Sequence, residues 1–170
     1  MNIVSPKCVQ IVRRTAIRNT APHRFNLAPE KPMTDRELII PPTMQNIVDR
    51  AGYVPAVKVG ATVFCAGQVG RTADLDVIAD PEAQFLACWE NLRVVLQAAG
   101  CTFDDVVDMT TYHVQMSTHM PVFREVKNRV FPRGTYAWTA IGVSELARAG
   151  LLVEIKCVAI KRDAARLDFP

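Results

Sequence analysis

The chain lacks an apolar run long enough to cross a bilayer, so a membrane-spanning helix is not expected. It has no C-x-x-C pair and no H-E-x-x-H. Its only histidines are His23, His113 and His119, so the usual zinc spacings are missing and no metal is expected. There is no G-x-G-x-x-G, and neither Gly67 nor Gly70 leads to a Lys-Ser or Lys-Thr pair. A phosphate-cradling loop is therefore not indicated, and no cofactor is expected. A formal net charge of +3 argues against a nucleic-acid partner, which calls for a clustered basic stripe. Cysteine is sparse and dispersed: Cys8, Cys65, Cys88, Cys101 and Cys157 form an odd set without framework spacing. That is the pattern of reduced thiols and points to the cytoplasm.

What is present is ordinary globular material, 49% hydrophobic and 22% charged over 170 residues, enough for one domain with a sizeable core. The first segment stands apart. It carries Lys7, Arg13, Arg14, Arg18 and Arg24 and no acid before Glu30. A basic, acid-poor profile resembles an organelle transit peptide. Its amphipathic periodicity is weak, so the segment reads as a disordered extension or an overlong gene start, with Met33 as a second initiator. The expected organisation is an extension over 1–32, one domain over 33–163 and a tail over 164–170.

Val57 and Val59 lead to Gly60, and Val63, Phe64 and Cys65 follow, which is a hairpin signal. From Asp80 the chain reads as a helix. Asp80 suits the N-cap and Pro81 the first turn; Phe85, Trp89, Leu92 and Leu96 share one face, and Gly100 ends it. Residues 104–116 read as a strand, with Thr111, His113 and Gln115 on a polar-looking face. A second helix presents Met120, Phe123, Val126 and Val130 before Pro132 and Gly134. Strands around Trp138 and over Leu151–Ile160 complete the order β-β-α-β-α-β-β. This is an α+β two-layer sandwich, one helical layer on one sheet face. The other face would be bare in a single copy, and Tyr136, Trp138 and Phe64 on it would form a large apolar patch. An oligomer is therefore expected.

The stretches "AVKVGATVFCAGQVG", "ADPEAQ", "ENLRVVLQAAG", "FDDVVDMTTYHVQM", "FREVKNRVF", "AWTAIGV" and "LLVEIKCVAI" occur in an order and spacing that resemble the Rid family. That family is also called YjgF/YER057c/UK114 and, in older usage, endoribonuclease L-PSP. The resemblance runs from about Tyr53 to Lys161. It implies a chorismate mutase-like fold, a homotrimer, and small-molecule clefts between subunits. It also implies a cofactor-free deaminase-like hydrolase acting on enamines and imines. The alternative is a member that binds a small molecule without turnover, and the endoribonuclease label is a third option with only the Arg-rich first segment behind it.

In the family the strand after the second helix carries an arginine that grips the substrate carboxylate. In this chain Trp138 stands in its register, followed by Thr139 and Ala140, and Phe123 replaces a usual asparagine. Indole offers one N–H and a flat face, not a bidentate charged fork. The substrate is therefore expected to differ from the usual small carboxylate-bearing imine, unless another base, Arg71, Arg133 or Lys58, holds the anion. The resemblance assigns Glu154 a catalytic role in positioning water, and Tyr53, Gly67, Trp138 and Thr139 to substrate binding. Each residue also has a plainer reading. Glu154 could pair with Lys156 on a solvated face, Tyr53 could cap the sheet, and Trp138 could pack in an interface. His113 reads as a surface or cleft-rim residue.

Overall fold

β-branched and aromatic residues on either side of a glycine build the first hairpin. The chain runs out as β2 (Ala56–Val59), turns at Gly60 with φ 59°, and returns as β3 (Thr62–Cys65), with Val57 opposite Phe64. The positive φ is why glycine stands at that turn. This computed structural model describes residues 36–131, 134 and 136–162. The extension over 1–32, Met33, Arg133 and the tail over 164–170 lie outside the described residues.

α2 (Pro81–Ala98) starts as its sequence predicts. The Ala83 N–H donates to Asp80 Oδ1 at 2.9 Å, Pro81 occupies the first turn, and Gly100 follows the helix with φ 73°. Its face of Phe85, Cys88, Trp89, Leu92 and Leu96 is fully buried. Each such large side chain contributes about 1.5–3 kcal/mol by leaving water. β5 (Val106–Val114), α3 (Met116–Val130) and β6 (Ala137–Val143) follow, and β6 pairs parallel to β5 with α3 as the crossover. β7 (Val153–Ile160) lies between β3 and β5, antiparallel to both.

The order read from the sequence holds, with three additions. β1 (Arg36–Ile39) pairs with β2 at the sheet edge. A short helix α1 (Gln45–Ala51) follows the Pro41–Pro42 pair. β4 (Gln68–Val69) continues β3 beyond Gly67 and pairs with β7. The sheet order is β1-β2-β3-β7-β5-β6, with β4 beside β7. α2 and α3 cover one face, where Phe123 packs on Phe85 and Trp89 above Met109, Ile155 and Cys157. On the other face Leu38, Phe64, Ile141 and Ile160 remain exposed. Among the described residues no helix is long and apolar enough to cross a membrane.

Two expectations about faces are corrected. Tyr136 and Trp138 pack against the core on the helical side, leaving Phe64 on the bare face. Trp138 lies opposite Met109, itself opposite buried Cys157, and strand alternation carries all three inward. His113 is not at the surface. It lies opposite Val153 and is only 1% exposed. A register shift between Val106 and Asp108 sets that parity, burying Val106 and turning Val107 outward.

Candidate active site

Beyond Gly67 the backbone resumes pairing, and Gln68 and Val69 lie opposite Ile155 and Glu154. Alternation along β7 sends Ile155 into the core and Glu154 to the other face. There the Glu154 carboxyl group packs directly on the backbone of Gly67. A Cβ at position 67 would overlap Glu154 Oε1 and stand 2.5 Å from Cδ. Glycine is what lets the carboxyl group lie this close to the sheet. The side chain is half-buried, and loss of water raises its pKa above the ordinary glutamate value.

Gly67→Ala is expected to push the carboxyl group out toward water. Its pKa should fall toward the ordinary glutamate range, with about 1–3 kcal/mol of strain at most. A carbon-13 NMR titration of the Glu154 side chain reads this directly. An unchanged titration would mean that Gly67 does not hold the group in place.

Glu154 and Gly67 open onto a cavity of about 440 Å³. Tyr53, 39% exposed, stands on its rim, and Leu75, Val77 and Leu151 form an apolar wall. Arg50, Arg71 and Arg148 also line it. Arg50 and Tyr53 come from the end of α1 and the residues after it; much of the remaining wall comes from two loops, one after β4 and one before β7, and buried Gln84 of α2 joins them. Its Nε2 donates to Ile78 O at 2.6 Å and to Gly150 O at 2.9 Å, while the Leu152 N–H donates to its Oε1 at 2.7 Å. Arg148 Nη1 adds a second tie, donating to Leu75 O at 2.8 Å.

The structure thus brings together Tyr53, Gly67 and Glu154 and leaves Trp138 and Thr139 elsewhere. The Trp138 indole lies on the helical face. Its Nε1–H donates to Thr111 Oγ1 at 2.9 Å, its ring centroid is 6.3 Å from that of Phe123, and Lys127 Nζ stands 5.2 Å from it. Thr139 shares the face of Glu154 but lies in the row of Thr110 and Lys156, one row along. Of the substitute bases, Arg71 lines the cavity, whereas Lys58 is engaged with Glu37 at 2.8 Å on the sheet edge. Arg148 and Gln84 carried no signal in the sequence, because their positions depend on loops that meet across more than sixty residues of chain. Cys88 is an interior thiol that donates to Gln68 O at 3.0 Å, and burial pushes its pKa up. Among the described residues no three His, Cys, Asp or Glu side chains converge as metal ligands.

The model of the endoribonuclease L-PSP family matches residues 43–161. The chain belongs to that family. Among the relatives of this L-PSP chain is the RutC family protein YjgH of Escherichia coli, 35% identical over 128 residues, covering 75% of this chain and 96% of the relative. A solved structure of protein YJGH superposes with a TM-score of 0.70 at 33% identity, covering 75% of this chain and 98% of that one. Rv2704 of Mycobacterium tuberculosis, a YjgF/YER057c/UK114 member, gives 0.63 at 27% identity, covering 74% and 99%. A mouse relative, named 2-iminobutanoate/2-iminopropanoate deaminase, is 32% identical over 114 residues, covering 64% of this chain and 81% of the relative. The L-PSP family therefore includes imine deaminases among its members.

Proposed function

We propose that the cavity beside Glu154 hydrolyses a C=N bond without a cofactor. The observation that carries this reading is a carboxyl group of raised pKa, seated on the Gly67 backbone at the wall of a cavity that also holds a phenol, Tyr53. Such a group keeps its proton to higher pH than an ordinary glutamate and can exchange it with substrate. An enamine first tautomerises, gaining a proton on carbon and losing one from nitrogen, and becomes an imine. Protonation of the imine nitrogen by Glu154 makes its carbon electrophilic, and the resulting carboxylate accepts a proton from the attacking water. Returned to nitrogen, that proton makes ammonia the leaving group; as the C–N bond breaks, the hydroxyl proton passes to the Glu154 carboxylate, leaving a carbonyl and the protonated acid restored. In this reading Tyr53 and the backbone near Gly67, which line the same cavity, orient the nitrogen end.

The deaminase name of the mouse relative supports the same reaction class. The assembly proposed for this site is a homotrimer. Leu38, Phe64, Ile141 and Ile160 are the apolar side chains a neighbouring copy would cover.

The test is ammonia release from freshly generated enamines, with and without a carboxylate, compared with buffer alone. Imines hydrolyse unaided, so the protein's acceleration is modest. Glu154→Gln is expected to lower it about a hundredfold, the lower range for acid–base catalysis. The catalysed rate should also fall as pH rises through the raised Glu154 pKa, because the proton donor is lost. A wild-type protein no faster than buffer on every enamine would instead identify a non-catalytic binder. The replacement of the family's anion clamp by Trp138, packed on Phe123, favours that second reading.

A further inference from the structure

Hydrolysis at Glu154 does not account for the charge of the cavity. Its lining holds three arginines, Arg50, Arg71 and Arg148, and one acid, Glu154. Even with Glu154 ionised, the three guanidinium groups leave the lining with a net positive charge. Arg71 Nη2 is buried without a hydrogen-bond partner among the described residues. A desolvated guanidinium nitrogen left unpaired is costly, and because the Arg71 side chain stays partly accessible, an anion bound on its open side would offset that cost through its charge. Arg148 is fixed at a second point of the wall by its bond to Leu75 O, and exposed Arg50 adds to the attraction of anions.

Size argues the same way. A six-heavy-atom enamine such as 2-aminoacrylate needs roughly 180 Å³ at about 30 Å³ per water-sized group. The cavity holds about 440 Å³. Two positioned guanidinium groups, an aliphatic wall of Leu75, Val77 and Leu151, and this excess volume fit a longer ligand with an anion at each end.

We infer that the cavity takes a dianionic imine or enamine, derived from an amino dicarboxylic acid, with Arg71 on one carboxylate and Arg148 on the other. The assignment of the reacting bond rests on the hydrolysis proposed above; the anion sites do not. Each arginine presents a planar fork matched to a carboxylate. The apolar wall faces the methylene spacer, and the C=N group lies toward Glu154.

Calorimetric titration of the full chain with 2-oxoglutarate and with pyruvate tests this. They are the ketone counterparts of a dianionic and a monoanionic imine. 2-Oxoglutarate is expected to bind about thirtyfold more tightly at low salt, as one additional charge-assisted contact implies. That preference should shrink as sodium chloride is raised. Arg71→Gln and Arg148→Gln should each cut it about tenfold. Arg71→Lys keeps the charge and should restore part of it, which separates loss of the anion site from loss of fold. Equal affinity for the two ketones in the wild type overturns the inference. So does a preference that survives both glutamine variants, or no binding of either at millimolar concentration. Dianion preference with ammonia release indifferent to Glu154→Gln overturns only the hydrolysis reading. Glu154-dependent turnover without dianion preference overturns only this inference.

Discussion

Gln84→Leu is expected to remove about 2–4 kcal/mol of folding stability, a large part of what a domain of this size holds. Leucine fills nearly the same volume, so the loss comes from hydrogen bonds. Gln84 is wholly buried and satisfies three backbone groups, the carbonyls of Ile78 and Gly150 and the N–H of Leu152. Each buried group left unpaired costs about 1–3 kcal/mol. Gly150 is exposed, so water takes over its carbonyl and the total stays below the simple sum. Those three groups belong to the loops that wall the cavity, so ligand binding should weaken together with stability. Urea denaturation at neutral pH reads the first effect. A loss under about 1 kcal/mol would show that the loops are held by something other than this side chain.

Between pH 6.5 and pH 4 the fold is expected to lose about 3 kcal/mol through His113 alone. The ring is enclosed beside Phe123, with centroids 4.7 Å apart, and Nε2 meets Thr111 Oγ1 at 2.8 Å. Trp138 Nε1 can only donate, so Thr111 Oγ1 accepts from it and is shared with the imidazole. Burial lowers the His113 pKa from 6.5 to about 4. The sign follows from proton counts. Between those values the unfolded chain binds the proton and the folded chain does not. The stabilisation is therefore complete above pH 6.5 and lost as pH falls through 4. Glu154 acts in the opposite sense. Its raised pKa favours the folded state at low pH, and that contribution is lost as pH rises through the folded value. Comparing the wild type with His113→Gln removes the Glu154 term from the difference. The two stability curves should converge toward pH 4, and parallel curves would refute the role of His113.

Elements with strong local signals were legible in the sequence. The hairpin at Gly60, the helix capped by Asp80 and the alternation in β7 each rest on neighbours in the chain, and all are present. β1 was not legible, because its four residues include one buried side chain, Ile39. Nor was β4, a two-residue strand defined by its partner β7. His113 was misread because Thr111 and His113 look like a polar face. They are buried because they bond to each other, and that pairing carries no periodic signature. In the candidate site the resemblance led to Tyr53, Gly67 and Glu154. Arg71 was among the candidate bases, but Arg148 joins it in the cavity lining only through loops tied at Gln84 and Leu75, which needed the fold.

The contact between Phe123 and Trp138 constrains how this chain can change. The residues stand where the family resemblance places an asparagine and an arginine, and here their rings touch each other rather than a ligand. An arginine arriving alone at position 138 would meet the Phe123 ring, leave Thr111 without its indole donor and crowd the Lys127 ammonium. Asparagine arriving alone at 123 would bury an amide among Phe85, Trp89 and His113. Each single substitution passes through a less stable protein, so positions 123 and 138 are energetically coupled, and an arginine clamp here calls for both changes together.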